Sequence, residues 1–354
     1  MSRPRLAAVG AESLPPPVRR TLSRAVVRPS WLALGAAVLL APLVGLLPPV
    51  VRYLPFVVSV LVFGLPHGAV DHLAPARTAG GGAVRSMTLV GLLYLVAGGA
   101  YLAWWFVAPV SAAAFFIVLT WFHWGQGDVY ALLALLDAEH LPTRAERALA
   151  LVVRGGLPML APLAFHPAAY RRVVAAFVVL FDGPTTALAP FFTPTARLVA
   201  GGGLFAATLL VLAVGAWRVR RGAATSPWVA DAGELVLLWV FFALLPPVLA
   251  VGLYFTLWHA LRHIARLLVV DPDAQGALTN GDAGAALRRF ARDAAPLTAV
   301  SLLLFVGLAV AVPTSPTGLA DSDALLALYL VGIAALTLPH VVVVTWMDRV
   351  QGVW

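Results

Sequence analysis

The sequence predicts an all-α membrane protein, a polytopic transmembrane bundle of about ten helices. Three observations carry this. Of 354 residues, 61% are hydrophobic and 11% charged, whereas a water-soluble domain carries about a quarter charged residues; too few charges remain to cover a water-facing surface. The apolar residues gather in stretches of about 20, the length that crosses a bilayer as a helix. The arginines between those stretches fall mostly on one side of the resulting topology, as in cytoplasmic loops.

Residues 1–30 come first. They carry Arg3, Arg5, Arg19, Arg20, Arg24 and Arg28 among several prolines. No short apolar core with a small-residue cleavage site follows, so a disordered cytoplasmic arm is expected rather than a cleaved signal peptide. A single catalytic domain then fills 31–354. Its spans are expected near 31–49, 52–72, 87–107, 110–136, 148–165, 197–217, 232–250, 251–270, 294–313 and 323–346. Segment 168–192 has a short apolar core interrupted by Asp182, Gly183 and Pro184, and is read as interfacial or re-entrant. With the arm inside, ten spans place Arg77, Arg85, Arg144, Arg147, the Arg218–Arg221 cluster, Arg288, Arg289, Arg292 and Arg349 inside as well. Only Arg52, Arg171, Arg172 and Arg197 fall near the outer side. The loop 271–292 is read as solvated and without a catalytic role. Together these segments predict a multi-pass protein of the cell membrane.

Composition also excludes chemistry. Cysteine is absent, so there are no disulfides, thiolate metal sites or cysteine nucleophile. All 24 basic residues are arginine, which rules out a lysine imine. The net charge of +8 is accounted for by arginines beside anionic lipid and requires no nucleic acid.

The histidines are the most informative polar residues. His67, His123, His259, His263 and His340 all fall in predicted spans running from outside to inside. They lie at similar depth, roughly 15–27 Å down a helix at 1.5 Å per residue. An ionisable ring inside a bilayer is costly unless it has a function or a partner. In Trp258-His259-Ala260-Leu261-Arg262-His263, the i, i+4 pair shares a helix face and suits one metal ion; the bland alternative is a polar helix end. In Gly64-Leu65-Pro66-His67-Gly68-Ala69-Val70-Asp71-His72, Pro66 breaks the helical ladder. Asp71 lies four residues after His67, where it would hold the far nitrogen of that ring. His72 is expected at the interface. In Trp121-Phe122-His123-Trp124-Gly125-Gln126-Gly127-Asp128, aromatics wall His123 off from water, and Gln126 and Asp128 need partners at that depth. Leu338-Pro339-His340 echoes Leu65-Pro66-His67, leaving His340 as a further ligand, a supporting group or a substrate contact. His140 and His166 are expected to be solvated in loops. Neutral imidazoles without a coordinating carboxylate suit Fe(II), Cu(II) or Zn(II), and spacing does not choose among them. The many aromatics would form interfacial belts or line a tunnel for a long apolar substrate.

Taken together, 64–71, 122–128, 258–263 and Pro339-His340 resemble the Brp/Blh family of membrane-embedded β-carotene 15,15′-dioxygenases. The likeness runs from about residue 55 to the C-terminus. The position after His123 is usually phenylalanine in that family and is Trp124 here, a conservative aromatic change. The resemblance implies a mononuclear non-haem iron, Fe(2+), held by His67, His123, His259 and His263. It also implies cleavage of the central double bond of β-carotene by O2 to give two all-trans-retinal molecules, supplied to a rhodopsin-type protein. Asp71, Gln126, Asp128 and His340 would support the ligating rings. A di-iron desaturase would need about eight clustered histidines, and only one His-x-x-x-His is present. A histidine-containing membrane transporter and a non-catalytic carotenoid-binding protein are the alternatives from other classes.

Overall fold

A computed structural model describes residues 14–318 and 321–354. Among them the chain is helical and contains no strand. In chain order the main helices are α1 (Pro16–Leu46), α2 (Pro49–Leu61), α3 (Ala83–Val107), α4 (Pro109–Leu136), α5 (Arg144–Phe165), α6 (Pro167–Val179), α7 (Pro194–Arg220), α8 (Thr225–Leu244), α9 (Pro247–Val270), α10 (Ala283–Ala311) and α11 (Ser322–Val350).

Eight of these, α1, α3, α5 and α7–α11, are long and apolar enough to cross a membrane. α4 has 28 residues, but His123, Gln126 and Asp128 dilute its apolar run. Their outer faces are strongly apolar: Leu39, Leu95, Leu198 and Val310 are each more than 70% exposed, as expected for side chains that face lipid rather than water. α5, α9 and α11 are the most enclosed of the eight candidate spans.

Three expectations are corrected. The predicted second span, 52–72, is not one helix. Helix α2 ends at Leu61, and 62–73 runs as a chain of turns, with Ala69 N–H bonded to Pro66 O and Asp71 N–H to Gly68 O. Pro66 has no N–H to donate, and Gly64 and Gly68 weaken the helix on either side of it. In the 1–30 arm, residues 1–13 lie outside the described residues, while the chain is helical from Pro16, with Val18, Leu22 and Val26 buried. The loop around 271 is not simply solvated: Asp271 is 2% exposed and paired with Arg77 and Arg289. Segment 168–192 forms α6 followed by a 3₁₀ stretch, Thr185–Phe192. At 13 residues, about 20 Å, α6 falls short of a full crossing.

Helices α4 and α5 pack backbone to backbone. A Cβ on Gly155 would lie 1.9 Å from Trp121 O, and one on Gly125 would lie 2.2 Å from Leu151 O. Small residues allow such approach where no water drives helices together. The contact fixes α4 so that His123 faces inward.

Candidate metal centre and cavity

Five histidines meet in the centre of the bundle. His67 comes from the turns after α2, His123 from α4, His259 and His263 from α9, and His340 from α11. Each is buried, between 2% and 8% exposed. Ring centroids are 4.7 Å apart for His123–His259, 4.7 Å for His123–His340, 4.8 Å for His263–His340, 5.1 Å for His67–His340 and 5.5 Å for His67–His259. The rings predicted from three separate segments therefore converge, and His340 joins them.

Local structure aims each ring. His259 lies in a π-helical turn, Phe255–Ala260, that opens into the α-helix carrying His263; such bulges recur at functional sites. Gly127 makes room for the His259 ring, since a Cβ there would stand 3.3 Å from its Cε1. His67 Nδ1 is turned onto the carbonyl of Gly64, within its own turn, which leaves Nε2 as the other nitrogen for use. His123 Nε2 and His259 Nε2 are 3.1 Å apart, close to the separation of two nitrogens sharing an ion at about 2.1 Å each.

The carboxylate partner differs from the sequence expectation. Asp71 does not reach His67. Its Oδ2 accepts from His340 Nδ1–H at 2.6 Å and from Tyr94 Oη–H at 2.6 Å. Turns over 62–73 replace the helix that would have stacked Asp71 on His67, and carry Asp71 to α11 instead. Carboxylate, phenol and imidazole thus form a chain that presents His340 Nε2 to the other rings. His72 is half-buried, with Nδ1 3.0 Å from Ala69 O.

Gln126 lies beside His123, as expected, while Asp128 has partners other than those expected. Gln126 donates to Thr345 on α11 at 3.0 Å. Asp128 accepts from the indole N–H of Trp258, at 3.0 Å, and from Arg154 Nη1, at 3.0 Å. It belongs to a buried ionic cluster that sequence reasoning missed. Arg154 on α5 reaches Asp128, Asp231 and Glu234; Arg262 on α9 reaches Glu234 at 2.5 Å and lies 3.7 Å above the Trp258 ring. Trp31 donates to Glu234 at 2.6 Å. His140, expected in solvent, is fully buried and bonded to Asp231 at 2.8 Å. His166 is half-buried, 3.0 Å from Ala243 O. The one available signal was Arg154 and Glu234 standing inside apolar helices, where an ionised group requires a partner.

The ring nitrogens fit a metal. Among the described residues, His123 Nδ1, both nitrogens of His263 and His340 Nε2 are buried without a hydrogen-bond partner. Groups so desolvated are normally satisfied, and an ion held by imidazoles satisfies several at once. Within the trio His67, His123 and His259, and within the trio Asp71, His263 and His340, the candidate ligand atoms lie within 4.8 Å of one another.

The centre opens on a cavity of about 600 Å³ whose wall includes His67, His123 and His340 and is otherwise overwhelmingly apolar. The volume lies in the range of small-molecule sites, and apolar walls with few convergent polar groups are their usual character.

Comparison with known proteins gives a consistent picture. Residues 58–348 match the family described as Beta-carotene 15,15′-dioxygenase. The chain is 51% identical over 336 residues to the probable beta-carotene 15,15′-dioxygenase Blh of Halobacterium salinarum, with 95% of each chain covered. It is 34% identical over 354 residues to the probable beta-carotene 15,15′-dioxygenase Brp of the same species, with 96% of each covered. No solved structure matches.

Proposed function

Because the chain belongs to the beta-carotene 15,15′-dioxygenase family, we propose that it cleaves the central double bond of β-carotene with O2 in the cell membrane, giving two all-trans-retinal for a rhodopsin-type protein. The observation that carries this reading is the meeting of five buried imidazoles, three of which, His67, His123 and His340, stand on the wall of one apolar cavity. His67, His123, His259 and His263 are the residues that would hold Fe(2+). When bound, the iron supplies the activation of O2.

The remaining steps belong to the chain. The cavity takes the polyene out of lipid and holds it without water, between the rings and aromatic walls that include Trp124 and Phe255. Holding the bond to be cut in one geometry accounts for much of such a rate enhancement. Asp71 holds the proton on Nδ1 of His340, and Tyr94 holds Asp71 in place, so His340 keeps Nε2 as a lone pair facing the site. His67 is oriented by its Gly64 carbonyl in the same way. One O2 provides both aldehyde oxygens, so no reductant is consumed.

Purified protein supplied with Fe(II), O2 and β-carotene tests the reading. Retinal as the sole product, lost together with bound iron in His259→Ala, supports it. Carotenoid binding without O2 consumption, or asymmetric products from the unaltered chain, overturns it.

A further inference from the structure

The cavity has two unlike ends. On one side it reaches the outside of the bundle between α3 and α10. Met87 on α3 and Leu297 and Val300 on α10 line it while remaining 47%, 37% and 57% exposed. The floor of this gap is one face of α11, where Ile333, Leu336, Thr337 and His340 recur at helical spacing. α10 is held against α11 farther along by Phe305, whose ring occupies the space beside Gly332. The gap therefore leads from the lipid-facing surface directly to His340.

At the other side the cavity is closed by α6. Tyr170, Val173, Val174 and Phe177, at i, i+3, i+4 and i+7, turn one face of this short helix into the cavity. None of them is exposed, and Phe177 is packed on Phe116 and Trp105. On α4, His123 and Phe116 both face the cavity, seven residues or about 10 Å apart. The imidazoles thus stand between an open side and a blind end.

We infer that the α3–α10 gap is the lateral portal by which the carotenoid leaves the lipid, and that α6 is the end stop that selects the bond cut. This rests on the reading proposed above. A long symmetric polyene is divided equally only if its leading end halts at a fixed distance beyond the reacting atoms. A blind apolar wall does this without polar contacts, which a hydrocarbon cannot make. It also gives a physical role to a helix too short to cross the membrane.

The absence of native cysteine allows a clean test of the portal. Val300→Cys is compared with Leu303→Cys, which is 70% exposed on α10 but not on the cavity wall. Both are treated with a bulky methanethiosulfonate reagent. Turnover of β-carotene falls at least tenfold in labelled Val300→Cys, returns on reduction, and is unchanged in labelled Leu303→Cys. Recovery on reduction excludes misfolding. For the end stop, Val173→Phe shortens the blind side, and Tyr170→Ala, an independent variant, deepens it. Each retains bound iron and yields asymmetric apocarotenals in addition to retinal. Labelled Val300→Cys turning over normally, or both α6 variants giving only retinal at unchanged kcat/KM, overturns the inference while leaving the proposed activity intact. No retinal from the unaltered chain defeats that activity instead.

Discussion

Replacing Glu234 by leucine removes the carboxylate that joins three helices to α9. Glu234 accepts from Arg154 at 2.8 Å, from Arg262 at 2.5 and 3.2 Å, and from Trp31 at 2.6 Å. Both arginines are 1% exposed, and among the described residues Arg262 then keeps only Asp128, at 3.6 Å, as a carboxylate partner. Removing one partner of a buried pair costs about 3–5 kcal/mol, because the remaining charge is desolvated and uncompensated. At roughly 2.1 cal/mol/K per residue, a chain of this length has an unfolding entropy of about 0.7 kcal/mol/K. The thermal midpoint should therefore fall by about 4–7 °C. Helix that survives denaturation in detergent lowers the entropy and enlarges the shift. Arg262 lies between His259 and His263, so iron should also dissociate faster from Glu234→Leu. Thermal denaturation of detergent-purified protein, followed alongside iron content, measures both. The double variant Glu234→Leu, Arg262→Met should lose less than the sum of the two single changes, since the orphaned charge is gone. A midpoint within about 1 °C of the parent, with unchanged iron retention, would show that the cluster does not hold α9.

Three further predictions concern other contacts. Asp71→Asn replaces the carboxylate that fixes the His340 tautomer with a neutral amide, a weaker acceptor, and should lower turnover of β-carotene by about 10–100-fold, the usual effect of changing a group that supports a metal site, with iron content retained; Tyr94→Phe, which removes one hydrogen bond to the same oxygen, should cost less. Gly155→Ala drives a methyl into the Trp121 carbonyl and should destabilise by at least the roughly 1–3 kcal/mol of an overpacked core, seen as a lower denaturation midpoint. Burial pushes the Asp271 carboxyl up, but the Arg289 hydrogen bond and the Arg77 charge outweigh it and hold the group below its ordinary value. Its contribution to stability is therefore complete above the usual carboxylate pKa of about 3.9 and is lost as pH falls through the depressed value. Asp271→Asn should flatten that acid limb of the stability profile; an unchanged limb would assign it to other groups.

What was legible in the sequence followed from how few choices a bilayer allows. Backbone polar groups must be satisfied within each span, so hydrophobic length alone marks helices. α3, α5 and α7–α11 overlap the expected segments with shifts at their ends. The same economy made the histidines visible: five imidazoles in apolar runs stand out, and all five meet. Partner choice was not legible, because it depends on where a chain leaves the helix. Asp71 lies four positions after His67, and that spacing places them on one face only if the helix continues. Pro66 signalled the break, but a break does not reveal where the next turn points. Here it sends Asp71 to His340, a contact spanning 269 positions. The ionic cluster was hidden for a related reason. Arg154, Asp231, Glu234 and Arg262 each look like an isolated fault in an apolar helix, and only the packing of α5, α8 and α9 turns them into mutual solutions. α6 was ambiguous because a helix inside a membrane domain need not span it. Its length excludes a crossing, and its four-residue apolar face has meaning only beside the cavity it closes. In this fold, sequence patterns reveal which groups are costly to bury, and three-dimensional packing decides which of them neutralise one another and which remain free to do chemistry.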